Sequence, residues 1–285
     1  MRVLLLGAGG MLGHDIAASA PPATLVSVPS RSDLDVTDET ALLRTVEECS
    51  PEAIINATGY TQVDDAERHP EQAFAVNATA VASLAAIAAA RDIVVVHFST
   101  DYVFNGNSTA PYAEDSPPDP LNVYGASKLA GERALVASGA RHLLIRSQWL
   151  FGVHGRSFPR TMLERARQSL STRVVTDQIG RPTFTIDLAG AMWRLLEMGA
   201  TGAFHVANAQ QASWFEVAQR MFAATGRIAL LQGVTSAEYG ARARRPAYSV
   251  LDTSRYTRAT GDSLPSWQDA LDRFSRSLDS PDPES

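Results

Sequence analysis

The sequence predicts an α/β fold: a doubly wound parallel sheet with a smaller, partly interwoven C-terminal lobe. Three observations carry that expectation. Short apolar runs alternate with stretches of helical spacing as far as residue 148, a glycine-rich turn separates the first run from the first helix, and beyond Trp149 the alternation loosens. Parallel strands need crossover connections and the crossovers are right-handed, so this alternation winds helices onto both faces of one sheet.

Arg2 to Leu6 is a buried strand ended by glycines, Met11 to Ala20 reads as the first helix, and Leu25 to Val28 closes a first βαβ unit. Thr37 to Glu48 places Leu42, Leu43 and Val46 at helical spacing before a compact strand, Ala53 to Asn56. A long helix follows over Pro70 to Ala90, with Phe74, Val81, Leu84 and Ile87 on its apolar face, then the strand Ile93 to Phe98. Asn105 to Leu121 is rich in Gly, Asn, Ser and Pro, a loop of a length that usually has a function. Val123 to Ser138 returns to helix and His142 to Ile145 to strand. Beyond Trp149 come helices at Phe158 to Gln168, Ile186 to Met198, Ser213 to Thr225 and Trp267 to Ser277, with short strands between them. The expected division is a dinucleotide-binding part, 1–148 plus about 180–207, and a substrate lobe, about 149–179 plus 208–278, with 279–285 a frayed tail.

Composition narrows the function. With 285 residues, 45% hydrophobic and 20% charged, the chain can build a sizeable core. A net charge of −6 argues against nucleic acid or an anionic membrane as the main partner, because neutralising phosphates needs clustered Lys and Arg. The single cysteine, Cys49, excludes an intramolecular disulfide and a cysteine zinc cluster, and suits a reducing cytoplasm. The alanine-rich stretch from Thr79 to Ala90 falls short of the roughly 20 apolar residues of a membrane span, so no such segment is expected.

Gly7, Gly10 and Gly13 form a G-x-x-G-x-x-G loop between strand and helix, with Gly9 as an extra glycine. Glycines let the backbone approach a pyrophosphate, which the helix N-terminus then holds through free N–H groups; this is the Rossmann arrangement with the spacing of short-chain dehydrogenases/reductases. No acid immediately follows Val28 to bind an adenosine ribose; Arg31 stands between Ser30 and Ser32, which suits a 2′-phosphate and hence NADPH, with NADH also admitted.

Tyr124 and Lys128 are four apart at the start of a helix and share one face. A phenol is a poor proton donor or acceptor at neutral pH unless a cation stabilises its anion, and Lys128 is the only lysine in the chain. Thr100 ends a central strand, where a parallel sheet presents catalytic groups, and can bond a carbonyl.

Ser99-Thr100-Asp101-Tyr102-Val103-Phe104, Pro111-Tyr112 and Tyr124-Gly125-x-Ser127-Lys128 resemble the dTDP-4-dehydrorhamnose reductase family. Asn56-Ala57, Val63-Asp64, the run Asp177-Gln178-x-Gly180-Arg181-Pro182-Thr183, Asp187-Leu188-Ala189, His205-x-x-Asn208 and Ser213-Trp214 are similar to it in the same order. The resemblance implies NAD(P)H-dependent reduction at C4 of a dTDP-4-keto-6-deoxysugar, with Thr100, Tyr124 and Lys128 catalytic. It implies a cofactor set of Gly7, Gly10, Met11, Leu12, Gly13, Arg31, Asp35, Val36, Ala57, Thr58 and Gly59, together with Tyr124 and Lys128, and substrate contacts at Val63, Thr100, Asp101, Tyr102 and Trp149. Gln148 stands where the resemblance would put a small or hydroxyl residue. Arg244 and Arg245, with no acid near them in sequence, suit the substrate diphosphate, and Arg245 joins the substrate set. Some members carry Mg²⁺ at a dimer contact, so Asp15 is a possible ligand and a homodimer a possible assembly, although no metal set is assigned. Two alternatives stay open: a related epimerase or dehydratase, which Tyr102 in place of a second carboxylate disfavours, and a non-catalytic regulatory subunit such as the partner of methionine adenosyltransferase.

Overall fold

The computed structural model describes residues 1–279. Its strands are β1 (Arg2–Leu6), β2 (Leu25–Ser27), β3 (Ala53–Asn56), β4 (Val94–Thr100), β5 (His142–Ser147), β6 (Leu150–Phe151), β7 (Thr172–Val175), β8 (Ile179–Gly180), β9 (Thr183–Phe184), β10 (Gly202–His205), β11 (Ala212–Ser213) and β12 (Leu231–Val234). Its helices are α1 (Met11–Ala18), α2 (Glu39–Cys49), α3 (Val63–Ala66), α4 (Pro70–Phe74), α5 (Ala80–Ala89), α6 (Val123–Ala137), α7 (Phe158–Arg167), α8 (Thr185–Glu197), α9 (Trp214–Ala223), α10 (Ser236–Tyr239), α11 (Ser254–Thr260) and α12 (Trp267–Asp279). Asp279 is thus helical rather than part of a tail, and the rest of the expected tail lies outside the described residues.

Six strands form one parallel sheet in the order β10-β5-β4-β3-β1-β2. Helices cover both faces, so its strands are apolar without alternation. On one face Leu5, Ile55, Phe98 and Ile145 pack against Leu12 and Ile16 of α1 and Leu188, Met192 and Trp193 of α8. On the other, Leu4, Leu6, Ile54 and Val95 meet Leu42 and Val46 of α2, Leu84 of α5 and Leu135 of α6. Trp193 Nε1 donates to Ile16 O at 3.0 Å, fastening α8 to α1. A separate core of Phe151, Phe184, Phe222, Trp267 and Phe274 holds the smaller lobe, whose short strands pair as β11-β8, β12-β7 and β6-β9.

The long helix expected over Pro70 to Ala90 is continuous but widens into a π turn at Ala75–Thr79 between α4 and α5. Such turns accommodate a residue whose side chain is needed elsewhere. Asn77, 1% exposed, accepts from Tyr60 N–H (2.8 Å) and donates to Tyr60 O and Ser127 Oγ, both at 3.0 Å, which ties the loop after β3 to α6. Counted as one, Pro70–Ala89 reaches 20 residues and is long and apolar enough to cross a membrane by length and composition, contrary to the sequence reading of the shorter alanine run. In the fold it packs against α2 and α6.

Candidate active site

The glycine loop turns at Gly7, whose φ of +85° favours glycine; a Cβ there would also lie 2.9 Å from the backbone of Ala57 and Thr58. At Gly13 a Cβ would fall 2.1 Å from Gly7 O, so α1 rests directly on the loop. Gly9 has open space around it and is not sterically required. Helix α1 starts without a side-chain cap or an acid in its first turn, leaving N–H groups and the positive end of its dipole for an anion. Gly7 therefore meets Ala57 and Thr58, Gly10 and Gly13 close against Gly7 itself, and Gly59 stands near Asn77.

The loop after β2 differs from its sequence reading. Asp33 folds back onto Ser30, accepting from its N–H (3.0 Å) and Oγ (2.6 Å), so an acid does lie beside the serines that flank Arg31. Five residues past Val28, it was too distant in sequence to be read as the ribose acid. Asp35 accepts from Thr37 N–H and Oγ1, bonds that hold its carboxyl below the usual range with help from Arg31. Val36 packs on the core around Leu34.

At the carboxyl end of β4, Thr100 Oγ1 accepts from Tyr102 N–H (3.2 Å) and donates to Asp101 Oδ1 (3.0 Å), and Tyr124 lies near enough for Thr100 to favour its ionised form. Asn122 caps α6 by accepting from Gly125 N–H at 2.8 Å, and a Cβ on Gly125 would lie 2.1 Å from Tyr102 O. That close approach brings Tyr124 to the strand tip, edge-on to Tyr102 at 5.7 Å. Burial pushes the Tyr124 phenol up to about 12, the direction opposite to a phenol activated by a cation. Lys128 explains why: Nζ donates to Phe98 O at 2.6 Å and lies 3.5 Å from His97 Nε2, so its ammonium bonds to β4 and not to the phenol. Asp101 is 1% exposed, and burial raises its carboxyl to about 7 against the bonds from Ser249 and Thr100.

Beside this tip opens a cleft of about 1010 Å³ lined by Val63, Tyr102, Phe158, Trp214, Arg244 and Arg245, among others. Val63 and Tyr102, expected to touch the substrate, both line it. Arg245 is not the unopposed cation expected: Asp64 takes both Nη atoms, at 2.6 and 3.2 Å, an acid remote in sequence and adjacent in space. Arg244 is exposed on the cleft. Trp149, expected to face the sugar, stacks instead on Trp214 at 3.7 Å with Gly180 against its ring, and holds a φ of +51°. Beside it Gln148 is 2% exposed with neither amide atom partnered.

Asp15 lies with His14 and His154, the imidazoles stacked at 3.4 Å and the candidate ligand atoms within 4.8 Å of one another. Two imidazoles and one carboxylate do not suit Mg²⁺, which takes oxygen ligands, so the residues do not fit that ion and no step is assigned to one. Sequence reading missed His97, Asn77 and the partnering of Asp64, because an isolated polar residue in an apolar strand or helix has no local signature.

The geometry thus joins a dinucleotide loop to a Tyr–Thr pair at the tip of β4. The family model described as the RmlD substrate binding domain matches residues 1–280. The chain belongs to that family. It is 39% identical over 276 residues to the dTDP-4-dehydrorhamnose reductase of Mycolicibacterium smegmatis, spanning 95% of this chain and 84% of the relative. It is 37% identical over 281 residues to the dTDP-4-keto-6-deoxy-D-glucose reductase of Streptomyces niveus, spanning 95% of each. The crystal structure of dTDP-4-dehydrorhamnose reductase from Bacillus anthracis in complex with NADP superposes with a TM-score of 0.93 at 33% identity, covering 97% of this chain and 99% of that one. In this RmlD-family chain, the glycine loop and the Tyr124 helix stand on the sheet edge where such folds seat a dinucleotide.

Proposed function

We propose that the protein is an NAD(P)H-dependent oxidoreductase that reduces the C4 keto group of a dTDP-4-keto-6-deoxysugar, dTDP-4-dehydrorhamnose foremost. The observation that carries this reading is the close approach of α6 to the carboxyl end of β4, which brings Tyr124 beside Thr100 and Tyr102, one helical turn from Lys128. The bound nicotinamide supplies the hydride. Thr100 orients the carbonyl oxygen, and Tyr124, protonated at neutral pH and held so more firmly by burial, delivers its proton to the alkoxide. Lys128 holds ribose hydroxyls, Gly7 to Gly13 seat the pyrophosphate on α1, and Arg31 takes a 2′-phosphate, favouring NADPH. Asp101, Val63 and Tyr102 contact the sugar, with Trp149 and Arg245 shaping the cleft through Trp214 and Asp64. The division into 1–148 plus about 180–207 and about 149–179 plus 208–278, a homodimer and a cytoplasmic setting belong to the same proposal; β10 and α8 joining the main sheet support the division.

The test is NADPH and NADH oxidation with a panel of dTDP-4-keto-6-deoxysugars. Tyr124→Phe is expected to lower turnover by roughly 10²- to 10⁴-fold with cofactor affinity unchanged. Wild-type turnover in that variant would remove Tyr124 from the mechanism, and equal affinity for both cofactors would remove Arg31.

A further inference from the structure

We infer that His97, oriented by Asn56, is a positioning residue that points an N–H bond at the Lys128 ammonium and so opposes its charge. The inference rests on the role given to Lys128 above. Asn56 and His97 are register partners on β3 and β4, 3% and 0% exposed, and Lys128 is 4% exposed.

The orientation of each group follows from the one before. Asn56 Oδ1 accepts from Thr58 N–H (3.1 Å) and Thr58 Oγ1 (2.5 Å); a backbone N–H can only donate, so the amide cannot be turned round. Its Nδ2 therefore faces His97 Nδ1, at 3.3 Å. A ring nitrogen facing an NH₂ group must accept, which leaves Nδ1 bare and puts the proton on Nε2. Nε2 is the atom 3.5 Å from Lys128 Nζ. A second ring proton offers no escape, since burial and the lysine charge hold His97 well below its usual range. Nζ is itself pinned by Phe98 O at 2.6 Å.

Other groups around the lysine set the balance. Glu132, on α6, favours the ammonium but is engaged by Arg146 of β5 at 2.7 Å; Tyr124 on the same helix and Asp101 at the tip of β4 lie nearer the reacting end. With desolvation dominant, Lys128 is lowered to about 8. The cation is then full below that pH and lost above it, which gives reduction an alkaline limb. The chain Thr58–Asn56–His97–Lys128 also runs from beside Gly7 to the catalytic helix, so it links the cofactor loop to the lysine.

Nitrogen-15 NMR of the histidine-labelled protein reads the tautomer directly. His97, assigned by its absence from His97→Gln, is expected to show a bare Nδ1 and protonated Nε2 from about pH 6 to about pH 9; an Nδ1–H tautomer overturns the inference. In His97→Gln the side-chain oxygen can accept from Lys128, so the alkaline limb of kcat/KM should move up by about one pH unit. Asn56→Asp should move it the same way, because a carboxylate at that place draws the ring proton to Nδ1, and it serves if the glutamine variant fails to fold. A limb that stays put in a folded variant overturns the inference. A wild-type enzyme with no alkaline limb would instead strike the role given to Lys128, while the tautomer still decides the orientation of His97.

Discussion

One residue before the end of β5, Arg146 has every nitrogen engaged: Nε and Nη2 donate to the Glu132 carboxylate at 2.9 and 2.7 Å, and Nη1 donates to Glu114 O at 3.1 Å. Immediately after it, Ser147 and Gln148 are as deeply buried, yet neither the hydroxyl nor either amide atom has a partner. Across the sheet the same change occurs on β4, where His97 is bonded and Ser99 Oγ and Asp101 Oδ2 are not. A buried polar group left without a partner costs roughly 1–3 kcal/mol, so a fold tolerates several together only where something else satisfies them. The tips of parallel strands are where ligands bind. The inner part of this polar layer fastens α6, the helix of Tyr124, to β5 through Glu132 and Arg146, and the outer part leaves buried polar atoms unpartnered at the strand tips.

The contrast can be broken most sharply at the ion pair. Glu132→Gln leaves the Arg146 guanidinium buried beside a neutral amide and should cost about 3–5 kcal/mol in urea unfolding. A cost below about 1 kcal/mol would mean that the inner layer holds nothing. Gln148→Met, similar in shape, should do the reverse, leaving stability unchanged or raising it by about 1–2 kcal/mol while KM for the nucleotide sugar rises. Clear destabilisation would show that Gln148 serves the fold.

Asp101→Asn is the mildest test. The folded-state carboxyl is raised to about 7 from an ordinary 3.8, so its favourable contribution is complete below about pH 4 and is lost as pH rises through about 7. The asparagine variant does not titrate. Its stability relative to the wild type should therefore climb between about pH 4 and about pH 8; a difference that is flat with pH would place Asp101 in a solvated setting.

Much of the fold was legible because burial on two sheet faces demands apolar runs, and runs such as Ala53–Asn56 carry little ambiguity. The π turn at Ala75–Thr79 was not, since helical spacing is nearly preserved through it and only the partners of Asn77 reveal it. In the site, Gly7, Gly13, Tyr124 and Lys128 follow local rules of spacing. The expectation that Arg245 is unopposed failed because Asp64, its partner, is 181 residues away, and the stacking of Trp149 on Trp214 was not legible because the two lie 65 residues apart in sequence.

The strand-and-helix alternation, the glycine turn and the four-residue spacing of Tyr124 from the only lysine are written in the chain locally, because each depends on neighbours within a helical turn or a strand length. What those groups experience depends on packing. That Lys128 bonds Phe98 O, that His97 turns its N–H toward it, and that Asp101 loses water are consequences of packing α6 onto β4, and desolvation has no counterpart in a linear chain.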